Sequence, residues 1–189
     1  MKATSRIFAG LLALSFALSA FASEGAKPAS VILADASAIA KRDHKTVMVI
    51  FHASWCGWCH RLEKVLAEPD VKKVMDDHFV SVTLTVLERD NKKSDENPGA
   101  PDLMKQMKSD DSLPLTGFLD PDGAILATTM KPDGEKLANI GYPGEPDEIK
   151  FYLEILKKSS PSLTDAEIAT IKKALDAEAV VIHAKTKAG

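Results

Sequence analysis

The sequence predicts a single mixed α/β domain, with a short leader before it and a helical appendage after it. Three observations carry this. Thr46-Val47-Met48-Val49-Ile50-Phe51 is an almost unbroken apolar run rich in β-branched residues, the pattern of a central strand buried on both faces. A helical pattern follows it directly, with Leu62, Val65 and Leu66 at helical spacing. Further on, Asp120-Pro121-Asp122-Gly123 is a strong turn signal between two strand-like runs, 113–119 and 124–130, which are expected to pair as an antiparallel hairpin. The bulk composition agrees: 189 residues, 45% hydrophobic and 27% charged, suit one globular domain and argue against wholesale disorder. Two cysteines exclude a disulfide-stapled mini-protein. A net charge of −3 gives no sign of nucleic-acid binding, and no internal repeat is visible.

Residues 1–22 read as a secretory signal peptide: Lys2 and Arg6 start it, an apolar stretch over 7–18 follows, and Ala20-Phe21-Ala22 is an A-x-A cleavage site. The competing reading is an uncleaved anchor, but the run is short for a span, which needs about 20 apolar residues. Cleavage leaves a more acidic chain with no stable membrane insertion. Its expected location is the bacterial periplasm or the exterior, both oxidising. Residues 23–30 are a polar linker. A helix is expected over 30–42, ending near Asp43, then the strand at 46–51 and a helix over 56–68 stopped by Pro69. Asp70 is placed to cap a short helix over 71–78, and 80–87 is a second strand-like run. Residues 88–101 are polar, hold Pro98, Gly99 and Pro101, and read as a long surface loop, with Lys92-Lys93 and Asp95-Glu96 as solvated charges. A short helix at 103–107, the hairpin, a loop at 141–146 and a helix at 147–158 complete the domain. Beyond it, 159–189 is a helical extension: Thr164-Asp165-Ala166-Glu167 opens a helix as a capping box, running to about Ala177, with a frayed tail at 185–189.

The chemistry concentrates in His52-Ala53-Ser54-Trp55-Cys56-Gly57-Trp58-Cys59-His60, the link from the first strand into its helix. Cys56 there sits at a helix N-terminus, where unpaired amides and the macrodipole favour negative charge. Such settings lower a thiol from about 8.5 to about 3.5–7.5, and the thiolate is the attacking species in disulfide exchange. Cys59, one turn further in, is placed as the covered, resolving thiol behind an exposed Cys56. Two other readings stay open. Cys-x-x-Cys-His also fits c-type haem attachment, and Cys56, Cys59 and a nearby histidine offer a partial metal site. The buried strand before the motif favours the redox dithiol; haem wants a flat apolar cavity, and zinc a second cysteine pair, which is absent.

At these residues the sequence resembles the thioredoxin superfamily. The matching stretches are Val49-Ile50-Phe51-His52-Ala53-Ser54-Trp55-Cys56-Gly57-Trp58-Cys59 and Leu113-Pro114-Leu115-Thr116-Gly117-Phe118-Leu119-Asp120-Pro121-Asp122-Gly123, and the likeness spans about 31–158. It implies a thioredoxin-like fold, a central mixed sheet flanked by helices. It implies also that Pro114 is cis beside the cysteine pair, where the Leu113 backbone receives an incoming peptide by strand addition. Without the resemblance, Pro114 is only a strand-start proline. Glu63 and Glu68-Pro69-Asp70-Val71 look more like the C-terminal domain of DsbD-type reductases than like small cytosolic thioredoxin.

Two departures stand out. The superfamily's buried Asp, six residues before the first cysteine, is here Ile50. Glu63, four residues after Cys59, shares that helical face and is a candidate to move the resolving thiol's proton; a solvated surface Glu is the alternative. His52 stands where thioredoxin has Trp, close enough to tune a thiolate, or simply packed. Trp55 is expected to support the loop; Gly57 and Trp58 lie between the cysteines, where side chains set the redox potential. His60 is expected to be exposed, and His44, His78 and His183 to be surface or packing residues. The expected activity is thiol–disulfide exchange with protein disulfide or dithiol substrates and an upstream redox partner, more as reductase or electron relay than oxidase, with no cofactor. The alternative is a metal-binding carrier or a non-enzymatic module of the same fold.

Overall fold

In a computed structural model, which describes residues 25–188, strand β1 (Thr46–His52) runs through the middle of a four-stranded sheet. The signal peptide expected at 1–22 lies outside the described residues. Among those residues no helix is long and apolar enough to cross a membrane. Strand β2 (Phe79–Thr85) pairs parallel with β1, while β3 (Leu115–Leu119) pairs antiparallel with its other edge, and β4 (Ile125–Thr128) with β3, giving the order β2-β1-β3-β4. A parallel pair needs a long crossover, supplied by α2 (Gly57–Leu66) and α3 (Pro69–His78).

Alternation along β1 sorts its side chains between two cores. Val47, Val49 and Phe51 face α1 (Ala29–Asp43) and α4 (Ala100–Gln106), meeting Ala36, Ala40 and Met104. Met48 and Ile50 face α2 and α3, together with α5 (Pro146–Ser159) and α6 (Asp165–Ala188), where Leu62, Phe118, Tyr152 and Leu175 fill the interior. His52 continues the Met48–Ile50 parity and so emerges on the α2 side.

Several element bounds differ from the sequence expectation. A second hairpin, β5 (Met130–Asp133) and β6 (Lys136–Asn139), follows the first. Each strand is only four residues long, β5 holds Pro132, and Met130 is the one buried side chain of the two, so no apolar run announces the hairpin. Helix α2 stops at Leu66, and α3 starts with Glu68 at the N-cap and Pro69 in the first turn, in place of a cap by Asp70. The 88–101 stretch carries a 3-10 turn, Asp90–Asp95, and α4 begins at its end. Helix α6 opens at the expected Thr164–Glu167 box, with Thr164 N–H donating to Glu167 Oε2 at 2.7 Å. It then continues well past Ala177, to Ala188.

Helix α6 is tied down at two points. Glu167 Oε1 lies 3.1 Å from His78 Nε2, whose Nδ1 faces the Ser160 and Ser162 hydroxyls, so His78 has the partners that sequence reading did not find. Near the other end Glu178, nearly buried, accepts from Arg61 at 2.6 Å and from Lys64 at 3.1 Å, both on α2.

Phe118 is fully buried where β3 meets the larger core and rests 5.5 Å from the Phe79 ring. Phe118→Ala should lower unfolding free energy by about 3–5 kcal/mol, read from urea midpoints. The Thr164 N–H and O–H bonds, with His78, pull the Glu167 carboxyl from 4.5 down to about 2. A depressed folded-state value means stability that is complete above pH 4.5 and is lost as pH falls through that range to about 2. Urea midpoints should therefore fall more steeply on acidification in the wild type than in Glu167→Gln.

Candidate active site

Strand β1 ends at His52, and the chain turns through Ala53, Ser54 and Trp55 before α2 begins. The turn closes with Cys56 N–H donating to the Ala53 carbonyl at 2.9 Å. Cys56 is the N-cap of α2, with extended backbone, and its sulfur accepts the Cys59 N–H at 3.1 Å. That is the position of an N-cap side chain satisfying an orphan amide. Cys56 and Cys59 form a disulfide, their Cα atoms 5.3 Å apart. Cys59 is fully buried and Cys56 only 3% exposed, because Ala53 and Leu113 pack over the pair. The open nucleophile expected from the sequence is thus nearly covered in the oxidised form, although Cys56 remains the more exposed of the two residues. A Cβ at Gly57 would meet nothing within 4 Å.

The Leu113–Pro114 peptide is cis. Asn139 on β6, which sequence reading passed over, holds this loop: its Nδ2 donates to the Pro114 carbonyl at 2.9 Å and to the Ser112 carbonyl at 3.0 Å. Beside it a groove of about 290 Å³ is lined by Trp58, Leu113, Ile140, Tyr142, Gly144 and Ile182. Trp58, 49% exposed, stacks on Tyr142 with ring centres 5.9 Å apart, and Arg61 lies 5.4 Å over its ring. Burial pushes the Tyr142 hydroxyl up to about 12, so it stays protonated. A larger hollow, about 520 Å³ between α5 and α6, contains none of the predicted site residues.

The start of the 88–101 stretch is not a solvated loop. Glu88 is buried beneath the cysteine turn, accepting Ser54 N–H at 2.6 Å and Ser54 Oγ–H at 2.8 Å. Burial pushes its carboxyl up, yet the two Ser54 bonds, with Lys92 and His52 nearby, hold it below the ordinary value. Lys92 also donates to Ser54 Oγ at 3.1 Å. Trp55 Nε1–H donates to the Leu87 carbonyl at 2.8 Å, and Arg89 sits 3.9 Å over the Trp55 ring, so Trp55 supports the turn as expected. The only sequence signal for Glu88 was a carboxylate at a strand exit; nothing local revealed that it folds under residue 54.

Glu63 turns to two histidines. Its Oε1 is 2.9 Å from His52 Nδ1 and its Oε2 is 3.1 Å from His60 Nδ1. The His52 contact is close but misaligned for a hydrogen bond, which leaves that buried nitrogen without one. His60 is half-exposed yet partnered on both sides, Nε2 lying 3.2 Å from the Ser54 carbonyl. The Ser54 carbonyl and then Glu63 raise its pKa above the ordinary histidine value. Ile50, in the place of the superfamily's buried Asp, is packed in the core and borders a hollow shared with Glu63. The structure therefore brings the side chains of His52, His60 and Glu63 together.

Residues 30–121 match the family model described as thioredoxin-like. Among solved structures, the disulphide isomerase from Xylella fastidiosa Temecula1 shares 28% identity, over 60% of this chain and 81% of that one, with a TM-score of 0.47. A DsbH oxidoreductase shares 21% over 82% and 96%, TM-score 0.45. The oxidised C-terminal domain of DsbD from Neisseria meningitidis shares 18% over 55% and 84%, TM-score 0.39. No curated protein sequence matches the chain. The protein carries a thioredoxin-like domain. Its Cys56–Cys59 pair at the start of α2 has the form of a thiol–disulfide oxidoreductase centre.

Removing the Glu88 carboxylate leaves the Ser54 amide unsatisfied under the turn. Glu88→Ala should cost about 1–3 kcal/mol, seen as a lower urea midpoint, whereas Glu96→Ala, whose carboxylate accepts the Glu88 N–H at 2.8 Å and takes no other hydrogen bond among the described residues, should cost less.

Proposed function

We propose that this protein, once exported, exchanges disulfides with protein partners through Cys56 and Cys59, as a reductant or electron relay. The observation that carries the reading is the Cys56 sulfur at the N-cap of α2, accepting the Cys59 amide at 3.1 Å. A reduced Cys56 there is favoured as thiolate by the same amide and by the helix dipole. Its attack on a partner disulfide forms a mixed disulfide and expels one partner thiolate. Cys59 then attacks the Cys56 sulfur, re-forming the internal disulfide and releasing the second partner thiol. Two electrons pass to the partner, and an upstream dithiol returns them to the chain.

The partner lies along Leu113 and Pro114, whose backbone offers strand-like pairing. Trp58 and Trp55, both large and exposed, flank the sulfurs, and Gly57 leaves the approach clear. Glu63 and His52, 2.9 Å apart, complete the set as the candidate proton-transfer groups. Export rests on the charged start, apolar run and Ala20-Phe21-Ala22 of the leader. The lean towards reduction rests on the Glu63 and Glu68-Pro69-Asp70-Val71 features shared with DsbD-type domains.

The dithiol form should reduce insulin disulfides, and Cys56→Ser should abolish this. Cys59→Ser should accumulate a mixed disulfide through Cys56, seen on non-reducing gels of periplasmic extract. The equilibrium potential of the pair should lie near about −270 mV; a value near about −120 mV would overturn the reductant assignment.

A further inference from the structure

We propose that His52, His60 and Glu63 bind one borderline divalent transition-metal ion, of the Zn²⁺ type, beside the cysteine pair and independently of its sulfurs. The donors converge: one ligand atom from each residue lies within 4.8 Å of the others. The two oxygens of Glu63 stand 2.9 Å and 3.1 Å from the Nδ1 atoms of His52 and His60. A tetrahedral ion with bonds of about 2.0–2.1 Å holds its donors about 3.3 Å apart, so small side-chain shifts admit it, opening the Glu63 contacts slightly and drawing together donors that stand no more than 4.8 Å apart.

Two further features of the cluster point to a cation. His52 Nδ1 is buried and makes no hydrogen bond, although buried polar atoms are nearly always bonded; an ion shared with Glu63 satisfies it. His60 Nε2 faces the Ser54 carbonyl at 3.2 Å. A carbonyl accepts only, so that nitrogen serves as the N–H donor and Nδ1 is available to ligate. A ligating histidine whose other ring nitrogen is pinned by a carbonyl is the usual outer-shell arrangement of metal sites. Ser54 is itself fixed by the buried Glu88.

The donors sit on rigid elements, His52 at the end of β1 and His60 with Glu63 one turn apart on α2. Two imidazoles and one carboxylate suit Zn²⁺, Cu²⁺ or Ni²⁺ better than Mg²⁺ or Ca²⁺. The His60 and Glu63 side chains are 53% and 37% exposed, which leaves room for water at the remaining coordination position.

The test uses the signal-cleaved chain with its disulfide intact, so that the sulfurs are not available as thiolates. Titration with Zn²⁺ by calorimetry should give one ion per chain, and Co²⁺ should give visible absorption of a tetrahedral nitrogen–oxygen site. His60→Gln and Glu63→Gln should each weaken Zn²⁺ binding at least tenfold, while His78→Gln, which alters a different His–Glu pair, should leave it unchanged. In the wild type, Zn²⁺ should shift the ring resonances of His52 and His60 and not those of His44 or His183, a readout that survives if a variant misfolds. Absence of stoichiometric binding, binding undiminished in both His60→Gln and Glu63→Gln, or binding seen only after reduction would overturn the assignment. Insulin reduction is scored separately, so failure of the metal site is distinguishable from failure of the exchange activity.

Discussion

The unpaired amides at the start of α2 govern the chemistry of this molecule. A helix leaves its first N–H groups without internal partners. Here one of them, from Cys59, points at the Cys56 sulfur 3.1 Å away. The same bond that caps the helix favours negative charge on the Cys56 sulfur. It also brings the two cysteines within bonding distance, with their Cα atoms 5.3 Å apart. Helix formation and reactivity are therefore one constraint, and substitutions that loosen the first turn of α2 act on both.

The surroundings keep that turn in place. From one side β1, buried along nearly its whole length, delivers the chain to residue 52 with fixed parity. From below, Glu88, Leu87, Arg89 and Lys92 grip Ser54 and Trp55. From across the groove, Asn139 holds the cis Leu113–Pro114 segment. The C-terminal helix reaches the same place by a chain of contacts: Glu178 holds Arg61, and Arg61 lies over the ring of Trp58. Residues far apart in sequence thus meet at one turn.

The metal cluster and the dithiol share these supports. Ser54 offers its amide and hydroxyl to Glu88 and its carbonyl to His60. Glu63 joins the end of β1 to α2 through His52. The exchange centre and the proposed cation site rest on one turn of backbone, and a change at Ser54 or Glu88 reaches both.

Much of this was legible in local pattern. The apolar run at 46–51 declared a buried strand because a strand covered on both faces has no polar side to show. The Asp120-Pro121-Asp122-Gly123 turn declared the hairpin, and the Cys-x-x-Cys element after the strand declared the chemistry. The β5–β6 hairpin went unseen because its four-residue strands, one holding Pro132, bury only Met130, and Glu88 because a polar stretch reads as solvent-facing unless its fold partner is known. Pairings such as Glu88 with Ser54, His78 with Glu167, Asn139 with Pro114 and Glu178 with Arg61 join positions at least 25 apart in the chain. By itself the amino-acid order determined most of the strands and helices and the Cys-x-x-Cys pair at the start of a helix, since those follow from periodicity, capping and side-chain chemistry over a few residues. Only the folded chain decided which charges lie beneath the cysteine turn and how far the sulfurs are covered, because both depend on long-range packing.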